Sequence, residues 1–313
     1  MTTTSTSHRF SSAEHVTQGL VWRPGPPAAD VRAGGDQGGG DQGGGDQAAA
    51  GPAWPPVLVA EDLLARGVVA AFSCRAGGRG RPPYDGLNLG LNVGDDLRAV
   101  LRGRRRLATV LGLAGLPWAT VRQVHSARVV EAGRDRLGPG PPEARPQLAE
   151  ADGLVSGETG TVLAVFMADC LPLLLADPEA RVVAAVHAGW RGLAAGAIEA
   201  GVAAFRRRGG RPASAIALVG PAIGACCYEV GPEVADAVVG RYPAAAATTR
   251  DRRPAIDTTA AAVEALERAG LGEIRRPLGE CTSHQPGRFF SYRRDGVTGR
   301  QAGLIALVDG ASQ

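Results

Sequence analysis

The segment VAAVHAGWRGLAAG, residues 183–196, begins as an apolar run, turns at a glycine-rich corner and continues into an alanine-rich stretch. The apolar run predicts a buried strand, and the alanine-rich stretch predicts a helix. The corner carries His187, Trp190 and Arg191 beside two glycines. Polar side chains at the end of a buried strand are costly unless they are paired or used. The segment therefore predicts a strand, a corner with functional residues, and a helix.

Strand and helix patterns alternate along residues 57–313. The run TVLAVFMADCLPLLLAD, residues 161–177, predicts two strands around a polar interruption. Apolar spacing predicts a helix near residues 97–111, and Asp257, or the threonine after it, is a suitable N-cap for another. The alternating pattern of residues 120–132 favours a strand or hairpin edge. We therefore predict an α/β fold of the mixed α+β kind, a single layered domain with central β-sheets flanked by helices.

Residues 1–56 differ from the rest of the chain. They are poor in apolar residues and contain GGDQGGGDQGGGDQ, residues 34–47, a repeat of Gly, Asp and Gln. Such a composition cannot bury enough surface to offset the entropy of ordering, so we predict a disordered tail. The tail has no continuous apolar region of the kind a secretory signal requires.

The bulk composition argues against several classes of protein. A net charge of +3 carried by scattered arginines argues against nucleic acid as a main partner. No apolar run is long and charge-free enough to span a bilayer, so we expect no membrane partner. The sequence contains no lysine, which excludes Schiff-base mechanisms. Five cysteines in a large chain without a secretory signal predict free thiols and a cytoplasmic location.

Three residues with metal-ligating side chains lie at or near the ends of predicted strands. They are His125 in RQVHS, Cys170 in MADCLP and His187 in AVHAGWRG. They are too far apart in sequence for a zinc finger, but they suit an open site assembled from separate strands. Two imidazoles and one thiolate, with a fourth position left to water, form a known catalytic zinc arrangement. Spacing alone leaves open the alternative that all three have structural roles only, the cysteine as a small core residue and each histidine as a hydrogen-bonded residue.

The chain resembles the bacterial laccase-domain or polyphenol oxidase-type family, whose members are now described as purine nucleoside phosphorylases and include a peptidoglycan editing branch. The resemblance covers residues 71–307 and rests on the segments LNLGLNVGDD, QVHSARV, ADGLVS, ADCLPLLLAD, VHAGWRGLAAG, GPAIGACCYEVG and FFSYRRDGVTGRQAG. It implies one Zn²⁺ per chain, held by His125, Cys170 and His187. Residues 57–313 are then a single zinc-dependent catalytic domain.

The resemblance also implies the reaction. It indicates phosphorolysis of adenosine, inosine and methylthioadenosine, with possible hydrolytic deamination of adenosine. Purine nucleosides and inorganic phosphate are therefore the expected partners, and we expect a monomer. A metal that lowers the pKa of a bound water suits the deamination, and a nearby carboxylate would move the protons. Asp169 is the candidate for that carboxylate, or else it orients a ligand.

Phosphorolysis requires a phosphate site, for which guanidinium groups are well suited. The candidates are Arg75 in FSCR, Arg104 in GRRR and Arg191 in GWRG, with Ser73 and Asn88 adding neutral hydrogen bonds. The alternative for each arginine is a solvated or salt-bridged surface position. The family usually carries Asn immediately before Arg104, where this chain has glycine, and this departure predicts a weaker phosphate site.

Three other functions remain open on the sequence. A copper-dependent phenol oxidase is disfavoured because copper clusters consume many imidazoles, and only three histidines lie outside the tail. A cysteine hydrolase of cell-wall peptides would use Cys170 as nucleophile and His187 as base, but would have no need of His125. A structural zinc would require a fourth protein ligand, for which Cys281 and His284 are the candidates.

Overall fold

The computed structural model describes residues 20–23, 55–277 and 279–309. The helices in these ranges are α1 (Glu61–Leu64), α2 (Leu97–Val110), α3 (Trp190–Ala194), α4 (Ala197–Arg207), α5 (Pro232–Val239), α6 (Thr258–Arg268) and α7 (Tyr292–Asp295). The strands are β1 (Val21–Arg23), β2 (Val57–Val59), β3 (Val68–Ser73), β4 (Trp118–Ala119), β5 (Val129–Glu131), β6 (Gly153–Ser156), β7 (Val162–Met167), β8 (Leu171–Asp177), β9 (Val182–Ala188), β10 (Ile216–Val219), β11 (Ala246–Thr248), β12 (Pro254–Ile256), β13 (Glu273–Arg275) and β14 (Gln301–Leu307).

Two six-stranded sheets form the centre of the fold, and β11 and β12 form a separate pair. The first sheet has the order β1-β2-β3-β14-β7-β4, and the second has the order β13-β10-β8-β9-β6-β5. Most neighbours are antiparallel, and the parallel pairs are β4 with β7, β5 with β6, and β10 with β13. The predicted mixed α+β fold with central sheets and flanking helices is confirmed.

The sheets pack face to face because successive side chains of a strand point to opposite faces. In β8, Leu174 and Ala176 lie in the cluster between the two sheets, together with Phe72 of the first sheet. The alternate residues, Leu173 and Leu175, belong to the cluster on the other face of the second sheet. Because these strands are buried on both faces, they appear in the sequence as continuous apolar runs.

Helices cover the outer face of each sheet. Helix α4 and helix α6 place Phe205 and Leu266 in the cluster on the second sheet, and α2 places Leu107 in a cluster with strands of the first sheet. The helix boundaries follow their capping residues, because the side chain of Asp96 accepts a hydrogen bond from the backbone at the start of α2, and that of Asp257 does so for α6. Both helix predictions are confirmed.

Two expectations differ from the structure. Residues 120–132 form a strand only from Val129 onward, and His125 lies in an irregular loop between β4 and β5. Within the predicted disordered segment, Val21–Arg23 pairs with Val57–Val59 as an edge strand. The physical reason is Trp22, whose ring lies 6.1 Å from that of Phe289 and whose Nε1 donates to Glu280. Most of the remaining predicted tail lies outside the described residues.

Helices that combine the length and the apolar character needed to cross a membrane are absent from the part of the chain that the structure describes.

Candidate metal centre

The structure brings together the three predicted metal ligands. One nitrogen of His125, one nitrogen of His187 and the sulfur of Cys170 all lie within 4.8 Å of one another. The Cys170 sulfur is 3.8 Å from Nε2 of His125, and the two imidazole rings meet edge to face with centroids 5.0 Å apart. Three soft or borderline donor atoms at this separation can converge on a single ion.

The strand register explains how two of these residues meet. In the antiparallel pair β8–β9, Leu171 lies opposite Ala188 and Pro172 lies opposite His187. Cys170, one residue before β8, therefore comes beside Gly189, one residue after β9. Cys170, just before β8, and His187, near the end of β9, therefore lie together at one end of the two central strands of the second sheet.

Gly189 allows this close approach because it has no side chain. A Cβ atom at this position would lie 2.9 Å from the Cys170 sulfur and 2.8 Å from Cδ2 of His125. Real Cβ atoms essentially never come so close to other heavy atoms. The glycine of the corner is therefore required for the sulfur and the His125 imidazole to occupy their positions.

Asp152, directly before β6, organises the centre, although no sequence pattern distinguished it. Its Oδ1 accepts hydrogen bonds from Nδ1 of His187 and from the backbone nitrogen of His125, both at 2.9 Å. Its Oδ2 accepts from the backbone nitrogens of Val124 and Ser126 and from the Ser126 hydroxyl. One buried carboxylate therefore fixes a ligand side chain and the loop that carries the next ligand. The quoted motif ADGLVS contains this aspartate directly before an apolar strand, and that position was the available signal.

The Asp152 contacts stabilise an unusual backbone conformation. His125 has a φ of 61°, in the left-handed region that non-glycine residues rarely adopt. Three consecutive backbone N–H groups, those of residues 124–126, point at the same carboxylate. This anchoring offsets the cost of the backbone conformation, so the His125 side chain is held in place before any ligand binds.

The electrostatics of the three side chains favour a thiolate. Burial would raise the pKa of Cys170, but the adjacent imidazoles of His187 and His125 outweigh it and lower the pKa to about 6. Burial would lower the pKa of His187, but the negative charges of Cys170 and Asp152 raise it to about 9. Burial also opposes ionisation of Asp152, yet its hydrogen bonds to His187 and Ser126 hold its pKa at about 2. These shifts describe a thiolate beside a protonated His187 that is oriented by Asp152, and an ion that binds would displace the proton from Nε2 of His187.

The donor set fits zinc in an open site. Zinc takes sulfur and nitrogen donors, and Nε2 of His187 is left for it because Nδ1 is engaged by Asp152. The two candidates for a closing fourth ligand lie elsewhere: Cys281 groups with Cys226 and Cys227, and His284 contacts Arg250. Among the described residues, no further His, Cys, Asp or Glu joins the three-residue group.

The two predicted catalytic residues occupy different environments. Asp169, with a φ of 91°, is buried, and its carboxylate accepts hydrogen bonds from the Thr282 hydroxyl at 2.6 Å and from the backbone of Arg293 at 2.7 Å. Its carbonyl accepts from the backbone of Ile223. The exposed Arg191 stacks on its neighbour Trp190, 4.3 Å from the ring centroid. Asp169 thus joins two loops beside Cys170, whereas Arg191 faces outward.

Of the predicted substrate-binding residues, Ser73 and Asn88 are buried and Arg75 is half-buried. The Ser73 hydroxyl accepts from the backbone of Ala302, and Arg75 pairs with Asp85. Asn88 accepts from the backbone nitrogen of Arg300. Within the described residues, no hydrogen bond or ion pair joins Ser73, Arg75 or Asn88 to the three metal-ligand candidates.

Arg104 is buried among aromatic rings. Its guanidinium lies 4.4 Å from the centroid of Phe166 and donates to the carbonyl oxygens of Leu89 and Glu143. Burial lowers its pKa to about 9. The backbone of Phe166 is in turn bonded to the side chain of Gln123, two residues before His125. Arg104 therefore packs against Phe166, whose backbone in turn holds the segment just before His125.

Two further residues lie near the centre: Tyr228, which the sequence offers as an aromatic that stacks on a purine or packs in the core, and Arg300, which the sequence does not single out. Burial raises the pKa of Tyr228 to about 12, and the negative charge of Cys170 adds to this shift. Burial lowers the pKa of Arg300, while the charges of Cys170 and Asp169 act to raise it. Both side chains therefore lie within electrostatic reach of Cys170. Both belong to quoted motifs, but no spacing rule distinguishes them from other tyrosines and arginines.

The class of this domain is an α+β fold of two packed sheets, with a candidate His-Cys-His metal site where the central strands of the second sheet end. Residues 69–308 match the family model described as multi-copper polyphenol oxidoreductase laccase. The chain belongs to this family.

Relatives of known name cover most of the chain. A purine nucleoside phosphorylase of Streptomyces coelicolor is 42% identical over 236 residues, which is 75% of this chain and 94% of the relative. The purine nucleoside phosphorylase YfiH of Escherichia coli is 38% identical over 262 residues, covering 82% and 98% of the two chains. The relatives therefore support an enzyme of the purine nucleoside phosphorylase kind.

Solved structures agree with the fold. YlmD from Geobacillus stearothermophilus superimposes with a TM-score of 0.74 at 33% identity, covering 84% of this chain and 98% of that one. The hypothetical protein YfiH of Bacillus licheniformis gives a TM-score of 0.73 at 32% identity, covering 80% and 96%.

Proposed function

We propose that the chain is a zinc-dependent purine nucleoside phosphorylase acting on adenosine, inosine and methylthioadenosine, with adenosine deamination as a second activity of the same centre. The observation that carries this proposal is the convergence of His125, Cys170 and His187 within 4.8 Å, in a chain whose relatives are named purine nucleoside phosphorylases. Bound zinc would supply a Lewis acid and a water of lowered pKa.

The chain's own residues prepare this centre. Asp152 orients His187 by accepting from Nδ1, so Nε2 is the atom that would bind an ion in exchange for its proton. The Cys170 pKa of about 6 makes its sulfur predominantly a thiolate at neutral pH. Asp169 is the proposed carboxylate beside the centre. Its hydrogen bonds to Thr282 and Arg293 support the positioning role more than proton transfer.

Phosphate is the second proposed substrate, and it requires positive charge near the centre. Arg191 is exposed and makes no hydrogen bond or ion pair within the described part of the chain, so its guanidinium can turn toward an anion. Arg300 lies within electrostatic reach of Cys170, and its backbone is bonded to Asn88. We assign phosphate recognition to these two arginines. Ser73, Arg75, Asn88 and Arg104 then act by supporting the surrounding loops.

The test is product analysis by chromatography with adenosine, inosine and methylthioadenosine, with and without inorganic phosphate. Phosphorolysis releases adenine from adenosine only when phosphate is present, whereas deamination releases inosine in either case. The purified chain should contain about one zinc ion. Cys170→Ala should lose that ion and reduce turnover by at least about 100-fold, the upper end of what the loss of an outer partner costs. Stoichiometric copper, or full activity after chelation, would contradict the proposal.

A cysteine hydrolase of cell-wall peptides is the second candidate. The Cys170 thiolate, the His187 imidazole and the Asp152 carboxylate form a nucleophile, a base and an orienting acid, which is the order found in such hydrolases. Incubation with muropeptides separates the two functions. Cleavage that persists after chelation, and that stops on alkylation of Cys170, would favour the hydrolase.

A further inference from the structure

A second cluster of metal-ligating side chains lies outside the centre described above. The sulfurs of Cys226, Cys227 and Cys281 all lie within 4.8 Å of one another. The first two sulfurs are 3.6 Å apart, and the third accepts a hydrogen bond from the backbone nitrogen of Gly224 at 3.2 Å. We propose that these three cysteines form a trithiolate site for a thiophilic metal ion, with Cu(I) as the best-fitting ion.

The backbone brings the cluster together from two distant segments. Cys226 and Cys227 lie in a short 3₁₀ turn after β10, and Cys281 follows β13. A β-bridge joins Ala222 to Cys281, and the backbone nitrogen of Thr282 donates to the Ala222 carbonyl at 3.1 Å. Hydrogen bonds of the main chain therefore set the position of the third sulfur relative to the other two. An ion bound here would join segments that are already held in register.

The number and type of donors point to a soft ion with low coordination number. Thiolate sulfur selects Cu(I), zinc and iron–sulfur clusters over harder ions. Structural zinc almost always takes four ligands. Among the described residues, the cluster contains three such donors and no fourth. Three sulfurs without a fourth ligand match Cu(I) better than zinc.

A cation is a suitable partner for sulfurs gathered this closely. Neighbouring thiolates repel one another, and a bound positive ion offsets that repulsion. Binding would release the thiol protons to solvent and would leave the ion as Cu(I), without oxidation or reduction.

A disulfide is the competing outcome, and the geometry disfavours it for the closest pair. Adjacent residues across a trans peptide have Cα atoms about 3.8 Å apart. Disulfide-bonded residues usually require about 4.4–6.8 Å. Cys226 and Cys227 are adjacent, so a bond between them would distort the turn. A disulfide to Cys281 would use two sulfurs and leave the third unpaired, and the experiment below distinguishes this outcome.

The site would act on the loops that flank Cys170. The residue after Cys281 is Thr282, whose hydroxyl donates to the Asp169 carboxylate. On the other side of the cluster, Ile223 donates its backbone nitrogen to the Asp169 carbonyl. Both segments that supply the sulfurs therefore hold the residue that precedes Cys170. Occupancy of the cluster should stiffen this part of the molecule without changing the ligands of the first centre.

The experiment measures Cu(I) retention by the full chain under nitrogen, against bicinchoninate as competing chelator. The background carries Cys170→Ser, which removes the sulfur of the first centre. In this background we expect one equivalent of retained Cu(I). Adding Cys227→Ser should abolish retention, and Cys227 is chosen because it is only half-buried. Adding Cys74→Ser is the matched control, because it removes one buried thiol outside the cluster, and retention should persist.

Spectroscopy and mass spectrometry complete the test. X-ray absorption of the retained copper should show sulfur neighbours only. Cu(I) should also protect Cys226, Cys227 and Cys281 from alkylation in a chain whose cluster is intact, which keeps the test valid if Cys227→Ser fails to fold. Equal Cu(I) retention with and without Cys227, nitrogen ligands around the copper, or a disulfide within the cluster after loading would each overturn the proposal.

Discussion

At the scale of single residues, Asp152 has the largest influence on the centre, because its two oxygens serve one ligand side chain and the loop of another. We expect Asp152→Asn to lower zinc affinity by about 10–100-fold, the usual cost of losing an outer partner of a ligating histidine. The amide NH₂ would replace one of the two oxygens and would face N–H donors there, either that of Ser126 at the Oδ2 position or that of His187 at the Oδ1 position. Zinc affinity is measured by competition with a fluorescent chelator.

The matched control is Asp177→Asn. Asp177 is also a fully buried carboxylate, but it ends β8 and pairs with Arg211, roughly 20 Å along the strand from Cys170. This variant should lose stability and keep its zinc affinity. Equal loss of affinity in both variants would show that Asp152 acts through general stability rather than through the ligands.

Gly189 acts at the same scale through the space that it leaves empty. Gly189→Ala would place a methyl group 2.8–2.9 Å from the His125 ring and the Cys170 sulfur, so at least one ligand must move. We expect a folded protein with strongly reduced zinc content, measured by elemental analysis. Gly192→Ala is the control, because its Cβ would meet no atom closer than 3.4 Å, an ordinary contact. Full zinc content in Gly189→Ala would mean that the three side chains do not share one ion.

At the scale of elements, the sequence predicted the helices and strands whose bounds follow from apolar periodicity and capping residues. The helix near residues 97–111, the strand pair around Cys170 and the strand before His187 follow from apolar patterns that are local in sequence. The loop that carries His125 does not follow from such a pattern. Its residues alternate as a strand would, but Asp152, from a strand distant in sequence, captures three of its backbone N–H groups. Tertiary hydrogen bonding therefore overrides the local preference.

The candidate site was likewise predictable only in part. The identity of the three metal-ligand candidates was available from residue type, position and family resemblance. The second cysteine cluster was not, because residue type and position offer Cys281 only as a fourth ligand of the first centre. The β-bridge from Ala222 to Cys281 places it with Cys226 and Cys227 instead. Long-range strand pairing of this kind leaves no mark on local composition.

At the scale of the whole molecule, the centre links the two sheets. Cys170 lies in the connection from β7 of the first sheet to β8 of the second, His125 lies in the connection from β4 of the first sheet to β5 of the second, and His187 lies in β9 of the second sheet. An ion bound by all three would therefore be lost when the sheets separate on unfolding. Ligand binding to the folded state alone stabilises it, by about 2.7 kcal/mol when the free ligand is 100-fold above its Kd.

This linkage predicts the effect of metal removal on stability. For a domain of this size, about 1 kcal/mol corresponds to roughly 2–4 °C in Tm, so chelation should lower Tm by about 5–10 °C relative to zinc-saturated protein. Differential scanning calorimetry provides the measurement. The shift should vanish in Cys170→Ser, which lacks the central sulfur, and should survive in Cys227→Ser, because the second cluster shares no ligand with the first. A Tm that responds to zinc in Cys170→Ser but not in Cys227→Ser would place the stabilising ion in the cysteine cluster, and would remove the basis for a zinc centre that joins the two sheets.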